Sequence, residues 1–185
     1  EVKTGEVNEE HCEAIRTTWN KASQVYHKML ESTTIQGAVV LYSQTRATFG
    51  KKILEVGAGT GYSSRVFALT FMQPGAVYYN CDISNEMIKI FEEEFVKSEL
   101  ATSDRISLEV LEEAKLHEVH QPEEGSHVKR VFVTVANNEQ LPFADGSFDR
   151  YISNLSMMIV DNHTNQLKEA FRVLQHGGTA GFTVW

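Results

Sequence analysis

Lys51-Lys52-Ile53-Leu54-Glu55-Val56-Gly57-Ala58-Gly59-Thr60-Gly61 is the stretch on which the fold turns. Ile53, Leu54 and Val56 suit a central parallel strand. The three glycines at alternate positions predict a tight turn whose backbone lies against a ligand before a helix over 62–72 begins. The strand's carboxyl end is therefore the expected binding edge, with Glu55, Gly57, Ala58, Gly59 and Gly61 as candidate binding residues. A GxGxG turn alone fits many dinucleotide-binding folds, so the ligand has to be read from what surrounds it.

Outward from this turn, helix and strand signals alternate. Before it, 9–31 and 33–48 read as helices, the second with Ile35, Val39 and Tyr42 at helical spacing, and together they form an expected helical cap over residues 1–50. After it come a strand over 77–81, a helix over 85–100, strands over 131–135 and 148–153, and a helix over 164–174. That last helix is expected to end at Gly177-Gly178, ahead of a final strand over 179–185. Repeated strand-helix-strand units imply an α/β fold, Rossmann-like and doubly wound, with a mostly parallel sheet and helices on both faces. Residues 101–130 are longer than a connection requires and read as an inserted strand or helix followed by an acidic loop over 121–126, within a core spanning 51–185.

Three further segments carry chemistry. Asp82 follows the second strand, where an acid can accept hydrogen bonds from both hydroxyls of a ribose, with Ile83 and Met87 flanking the base; its competing role is to cap the next helix. Ala136 to Asp149 reads Ala-Asn-Asn-Glu-Gln-Leu-Pro-Phe-Ala-Asp-Gly-Ser-Phe-Asp, and Lys168 to Gly178 contains Glu169-Ala170-Phe171-Arg172-Val173-Leu174 before its paired glycines. Trp19-Asn20-Lys21-Ala22-Ser23-Gln24-Val25-Tyr26 lies in the first helix.

In order and spacing these pieces resemble the class I methyltransferases that use S-adenosylmethionine (SAM), in particular the group with the ubiquinone and menaquinone C-methyltransferases. The glycine turn is similar to their motif I, and 136–149 to their N-A-E-x-L-P-F-x-D-x-S-F-D signature. The segment around Glu169 and Arg172 is similar to their E-x-x-R-V-L-K-P-G-G scaffold, with His176 where proline is common. Trp19 to Tyr26 is similar to a W-D-x-x-A-x-x-Y that precedes motif I in several members. The resemblance implies SAM as cofactor and S-adenosylhomocysteine as product. It implies that Asn137 meets the adenine amino group, that the Asn138 backbone meets the ring, that Tyr26 closes over the methionine end, and that Asn154 joins the cofactor site. Asn138 stands in place of the family's usual alanine. The antiparallel strand pair that usually completes this fold is expected to be absent, since the chain stops at Trp185, and a start at Glu1 without methionine reads as a fragment.

Composition narrows the function. The 185 residues, 42% hydrophobic, suffice for one core, and a net charge of −8 with no Lys/Arg stripe argues against a nucleic-acid partner. So does Asn154-Leu155-Ser156-Met157, which differs from the Asn/Asp-Pro-Pro-Tyr of enzymes that methylate nucleobase amino groups. Two distant cysteines, Cys12 and Cys81, and no long apolar span predict a cytoplasmic protein without a membrane span. The expected activity is methyl transfer to a small-molecule acceptor. The alternatives are an NAD(P)-dependent oxidoreductase, which leaves 137–149 unexplained, and a SAM-binding or partner-binding module without turnover. No catalytic residue is assigned. His163 is the nearest candidate base but reads as an exposed helix start, and His117, His120 and His127 match no strong metal-ligand spacing, so no metal is expected.

Overall fold

The computed structural model describes residues 5–98, 104–112, 116 and 119–185. Its elements run α1 Glu9–Met29, α2 Glu31–Gln44, β1 Lys52–Val56, α3 Tyr62–Thr70, β2 Val77–Asp82, α4 Asn85–Lys97, β3 Ile106–Val110, β4 Lys129–Val135, β5 Phe148–Asn154, α5 His163–Val173 and β6 Leu174–Thr183. The strands form one six-stranded sheet in the order β3-β4-β2-β1-β5-β6, and each neighbouring pair is parallel. The order reverses between β1 and its neighbours, which opens a crevice at the carboxyl ends of the central strands.

Burial explains the centre of the sheet. Every residue of β2 is buried, as are Ile53 to Val56 of β1, which is the near-continuous apolar signature of strands covered on both faces. The strand period of two divides them: Tyr78 joins Tyr42, Phe67, Phe91 and Phe95 on one face, whereas Tyr79 joins Phe132, Phe143, Phe148 and Tyr151 on the other. Side-chain caps start the helices. Asn8 accepts from His11 N at 3.1 Å, Ser84 from Met87 N at 3.1 Å, and Asn162 from Thr164 N at 3.0 Å. Helix α1 packs on α4, and α2 packs on α3.

The structure decides one open alternative of the sequence reading and shifts two boundaries. The inserted segment contributes β3, a parallel strand at the sheet edge beside β4. Its return toward β4 buries Leu111, Leu116 and Val119 against the Tyr79 face. The α4 helix ends at Lys97, and the expected continuation to 100 lies partly outside the described residues. The last strand begins at Leu174, ahead of the paired glycines. Leu174 already has extended dihedrals (φ −78°, ψ 132°), so α5 ends there, and a register shift against β5 makes 175–178 a bulge with Gly177 at φ +81°. Among the described residues β6 pairs with β5 and with no other strand.

Candidate functional site

A cavity of about 260 Å³ opens at the carboxyl ends of β1, β2 and β5, beneath α1 and the start of α2. Its floor is the glycine turn. Gly57 has φ +64°, and a Cβ there would overlap the Ser156 side chain, whose Oγ would lie 2.8 Å away. Glycine is thus required by both conformation and space. At Gly59 an added Cβ would come 3.3 Å from the Tyr26 ring, so backbone and aromatic ring approach closely above the turn.

Asp82 fastens this turn to β2. One carboxylate oxygen accepts from Gly59 N at 2.9 Å and the other from Ser84 N at 2.9 Å. The cap of α4 is Ser84, so the helix-capping role considered for Asp82 belongs to its neighbour. Burial raises the Asp82 pKa from its ordinary value, opposed by the backbone N–H donors of Ser84, Gly59 and Ile83. Ile83 and Met87 line the cavity beside it. The α1 helix is tied to the same loop: Arg16 Nε donates to Ile83 O at 3.2 Å, and Ser84 Oγ donates to Asn20 Oδ1 at 2.7 Å.

The loop after β4 crosses this edge toward α5. Asn137 Oδ1 accepts from Glu139 N at 3.0 Å while its Nδ2 reaches Cys12 Sγ at 3.2 Å. Glu139 Oε1 accepts from Asp161 N at 2.9 Å and its Oε2 from Asn162 N at 3.2 Å, which anchors the loop to the β5–α5 connection. Leu141 and Phe143 are buried anchors, as their apolar character implied, and Arg172 donates to the carbonyls of both at 2.9 and 2.6 Å. Asn138 is buried and lines the cavity, yet its Oδ1 has no hydrogen-bond partner.

The opposite wall comes from elements remote in sequence. Tyr26 OH bonds Thr34 Oγ1 at 2.9 Å, and Asn154 Nδ2 donates to Thr34 O at 3.1 Å while its Oδ1 accepts from Thr183 at 2.7 Å. Leu30, Leu155, Met158, Ile159 and Val160 add an apolar surface. Glu31 reaches the turn from above, where its Oε2 accepts from Thr60 Oγ1 at 2.6 Å and meets His27 Nδ1 at 2.9 Å. A carboxylate there, immediately before α3, disfavours the anionic pyrophosphate that a helix N-terminus otherwise attracts.

The structure thus brings Tyr26, Gly57, Gly59, Asp82, Ile83, Met87, Asn137, Asn138 and Asn154 together around one cavity. It leaves Glu55, Ala58 and Gly61 out of the lining. Glu55 points into the core, where its Oε2 accepts from the Tyr42 hydroxyl at 2.8 Å and also from the Tyr78 hydroxyl, and burial raises its pKa. Ala58 is buried beneath the turn, and a Cβ on Gly61 would overlap the Phe91 ring of α4. Cys12, Ile15, Trp19 and Leu30 were missed as lining residues. The three- and four-residue spacing of the first three marks one face of α1, the available signal. His163 is exposed at the start of α5 and outside the lining. His120 stacks on Phe132 and bonds Tyr79 OH at 2.7 Å, and His117 lies outside the described residues. Among the described residues no group of three His, Cys, Asp or Glu could hold a metal ion, and no helix is long and apolar enough to cross a membrane.

Comparison with known proteins finds methyltransferases. A family model described as a methyltransferase domain matches residues 101–182. Demethylmenaquinone methyltransferase of Tropheryma whipplei is 27% identical over 93% of this chain and 59% of its own length. An uncharacterised protein of Methanocaldococcus jannaschii is 28% identical over 68% of this chain and 40% of its own. The chain therefore spans only part of these curated relatives. Among solved structures, a chain of the complex between the Haloferax volcanii Trm112 methyltransferase activator and a methyltransferase superposes with a TM-score of 0.62, at 19% identity, covering 90% of this chain and 59% of that one. The [4+2]-cyclase SpnF superposes with a TM-score of 0.60, also at 19% identity, covering 81% of this chain and 44% of that one. The glycine turn, the acid after β2, the 137–149 signature and the six-stranded parallel sheet are thus similar to those of the class I SAM-dependent methyltransferases, and the methyltransferase-domain match itself covers 101–182.

Proposed function

We propose that this chain binds SAM in the cavity at the carboxyl edge of β1 and β2 and transfers its methyl group to a small-molecule acceptor, with residues 1–50 as the cap and 51–185 as the binding core. The observation that carries the reading is Asp82, buried at the cavity wall and already fastened to the Gly59 backbone. Each carboxylate oxygen has a second lone pair, so Asp82 retains acceptor capacity for ribose hydroxyls while it holds the turn. Ile83 and Met87 supply an apolar surface for a base, and Asn137 and Asn138 stand across from them. Glu31 at Thr60 favours a ligand without a pyrophosphate over a dinucleotide.

The cofactor would supply an already activated sulfonium methyl. The task left to the protein is alignment and exclusion of water, which needs no nucleophile of its own. Trp19, Tyr26 and Leu30 cover the cavity from the cap, and Leu155, Met158 and Ile159 form a wall suited to an uncharged acceptor. The kinship with demethylmenaquinone methyltransferase supports a small organic acceptor, and the absence of Lys and Arg from the described lining supports a neutral one.

Titration with S-adenosylhomocysteine and, separately, with NADH tests the reading. Binding of the first with thermal stabilisation, and none with the second, is expected. The reverse preference would overturn it. The likeness to a cyclase favours keeping a second reading in which the site binds SAM without methyl transfer. Radiolabelled methyl transfer from SAM into small molecules of a cell extract separates the two.

A further inference from the structure

His27 follows the cavity-lining Tyr26, near the elbow where α1 meets α2, and both of its ring nitrogens face carboxylates. Nδ1 lies 2.9 Å from Glu31 Oε2 of α2, and Nε2 lies 3.8 Å from Glu94 Oε1 of α4. A neutral imidazole carries a hydrogen on one nitrogen only, so it serves one of these carboxylates at a time, whereas the imidazolium serves both. The Glu31 oxygen that meets His27 is also the one that accepts from Thr60 Oγ1 at 2.6 Å, within the glycine turn. A single carboxylate oxygen thus joins α1, α2 and the floor of the cavity.

The elbow is the part of the cap that covers this floor. Leu30 is the single residue between the two helices, and it lines the cavity with Tyr26, Thr33 and Thr34. A Cβ on Gly59 would stand 3.3 Å from the Tyr26 ring, so a ligand lying between ring and turn lifts the elbow as it comes and goes. The bond from Thr60 to Glu31 opposes that lift. Two further charged groups surround the cluster. Arg65 of α3 donates to Thr60 O at 3.0 Å and is attracted by both Glu31 and Glu94, and Lys97 of α4 lies 2.8 Å from Glu94. Lys97, with smaller contributions from His27 and Arg65, holds the Glu94 carboxyl below its ordinary range, so Glu94 is an anion wherever a histidine titrates. Charge on His27 draws Glu31 and Glu94 together, and its loss removes the cation that stands between them.

We propose that His27 is a positioning residue whose charge latches the elbow of the cap onto the glycine turn, so that a bound cofactor is retained at low pH and released faster as pH rises. It acts through Glu31 and Thr60 and touches no ligand itself. The sign follows from the pairs: the charged imidazole is the form that gains from Glu31 and Glu94, so the latch is present below the histidine range and is lost as pH rises through it. The effect on the cofactor rests on the cofactor reading above.

Stopped-flow measurement of S-adenosylhomocysteine dissociation from the wild type and from His27→Gln, at about pH 6 and about pH 8, tests it. At about pH 8 the two proteins should release the ligand within about 2-fold of each other, and at about pH 6 the wild type should release it about 3-fold or more slowly than the variant. His11 beside Asp161 stays in both proteins, so the difference between them is the quantity that decides. Glu94→Gln, which keeps His27 and changes a half-exposed side chain, should shrink the response of the wild type to pH. A difference between His27→Gln and the wild type that is equal at both pH values would make His27 a packing residue, and no difference at either would leave it without a role; both results overturn the proposal. A wild type that fails to bind S-adenosylhomocysteine defeats the cofactor reading instead, and the latch is then decided in the ligand-free protein. Amide exchange over 26–34, corrected for its own dependence on pH, should be about 3-fold or more faster in His27→Gln at about pH 6 and alike in the two proteins at about pH 8. Equal exchange at the lower pH would overturn the latch itself.

Discussion

The two sides of the cavity are built by different means. On the β1–β2 side the backbone does the holding: Gly59 N and Ser84 N bond Asp82, Ala58 N bonds Cys81 O at 3.0 Å, and α1 is stitched on through Ile83 and Ser84. On the far side the wall is made of side chains from α1, α2 and 154–160, several of them partly exposed, such as Leu30 at 47% and Met158 at 44%. A wall of bonded backbone fixes positions to a fraction of an ångström, whereas a wall of apolar side chains tolerates exchange of volume. The first side suits a ligand of one fixed shape and the second a ligand whose shape is free to vary.

Gly57, where the two sides meet, is the strongest test of that contrast. Replacing it with valine forces a branched side chain into Ser156 at φ +64°, so folding stability is expected to fall by about 3 kcal/mol or more, with ligand binding lost. A denaturant melt measures the first effect. A fully stable variant would show that the turn is looser than its packing implies. The proximity of Ser156 is what extends the effect from binding to the fold.

Asp82→Ala is expected to have the next largest effect. It removes the acceptor of two backbone N–H groups, a loss of about 1–3 kcal/mol in stability, and, on the proposed function, the ribose acceptor, a loss of about 10- to 150-fold in S-adenosylhomocysteine affinity. A melt and a titration of the same variant read both. Stability lost with affinity intact would leave Asp82 as a fastener of the turn only.

Glu55 sharpens the comparison because it belongs to neither wall. Burial raises its folded-state pKa above the unfolded value, so its contribution to stability is fully present below the unfolded pKa and is lost as pH rises through the folded one. Glu55→Gln keeps a hydrogen-bond acceptor for Tyr42 and Tyr78 without the charge. Between those two pKa values the variant should gain on the wild type by at most about 1.4 kcal/mol per pH unit, while S-adenosylhomocysteine affinity stays within about 2-fold. Melts across pH 4 to 8 follow the gap. A large affinity loss would return Glu55 to the site.

What was legible in the sequence follows the same division. The β1 turn, Asp82 and the 137–149 loop carry their roles in local residue types, because glycine conformation and strand-end acids are local constraints. The strands over 52–56, 77–82, 129–135 and 148–154 were readable for the same reason, as short apolar runs between turn signals. The contribution of Leu30 or Met158 depends on where α1, α2 and β5 meet, a tertiary fact with no local signature. Glu55 was misplaced because period two says which face of β1 it takes but not that Tyr42 and Tyr78 wait there. The start of β6 was misread because paired glycines serve a helix end and a strand bulge equally well.

That bulged strand has a consequence for handling the protein. Leu174–Thr183 contains no Lys, Asp, Glu or Pro, the residues with which natural edges commonly discourage docking of another strand, and among the described residues its outer backbone faces no partner strand. Phe171 at 85% exposure and Trp185 at 83% flank it with apolar surface. A strand of this composition is open to pairing with a further strand, and the −8 charge of the 185 residues opposes the approach of a second copy. Added salt screens that repulsion, so association of the chain is expected to rise with ionic strength, which light scattering checks.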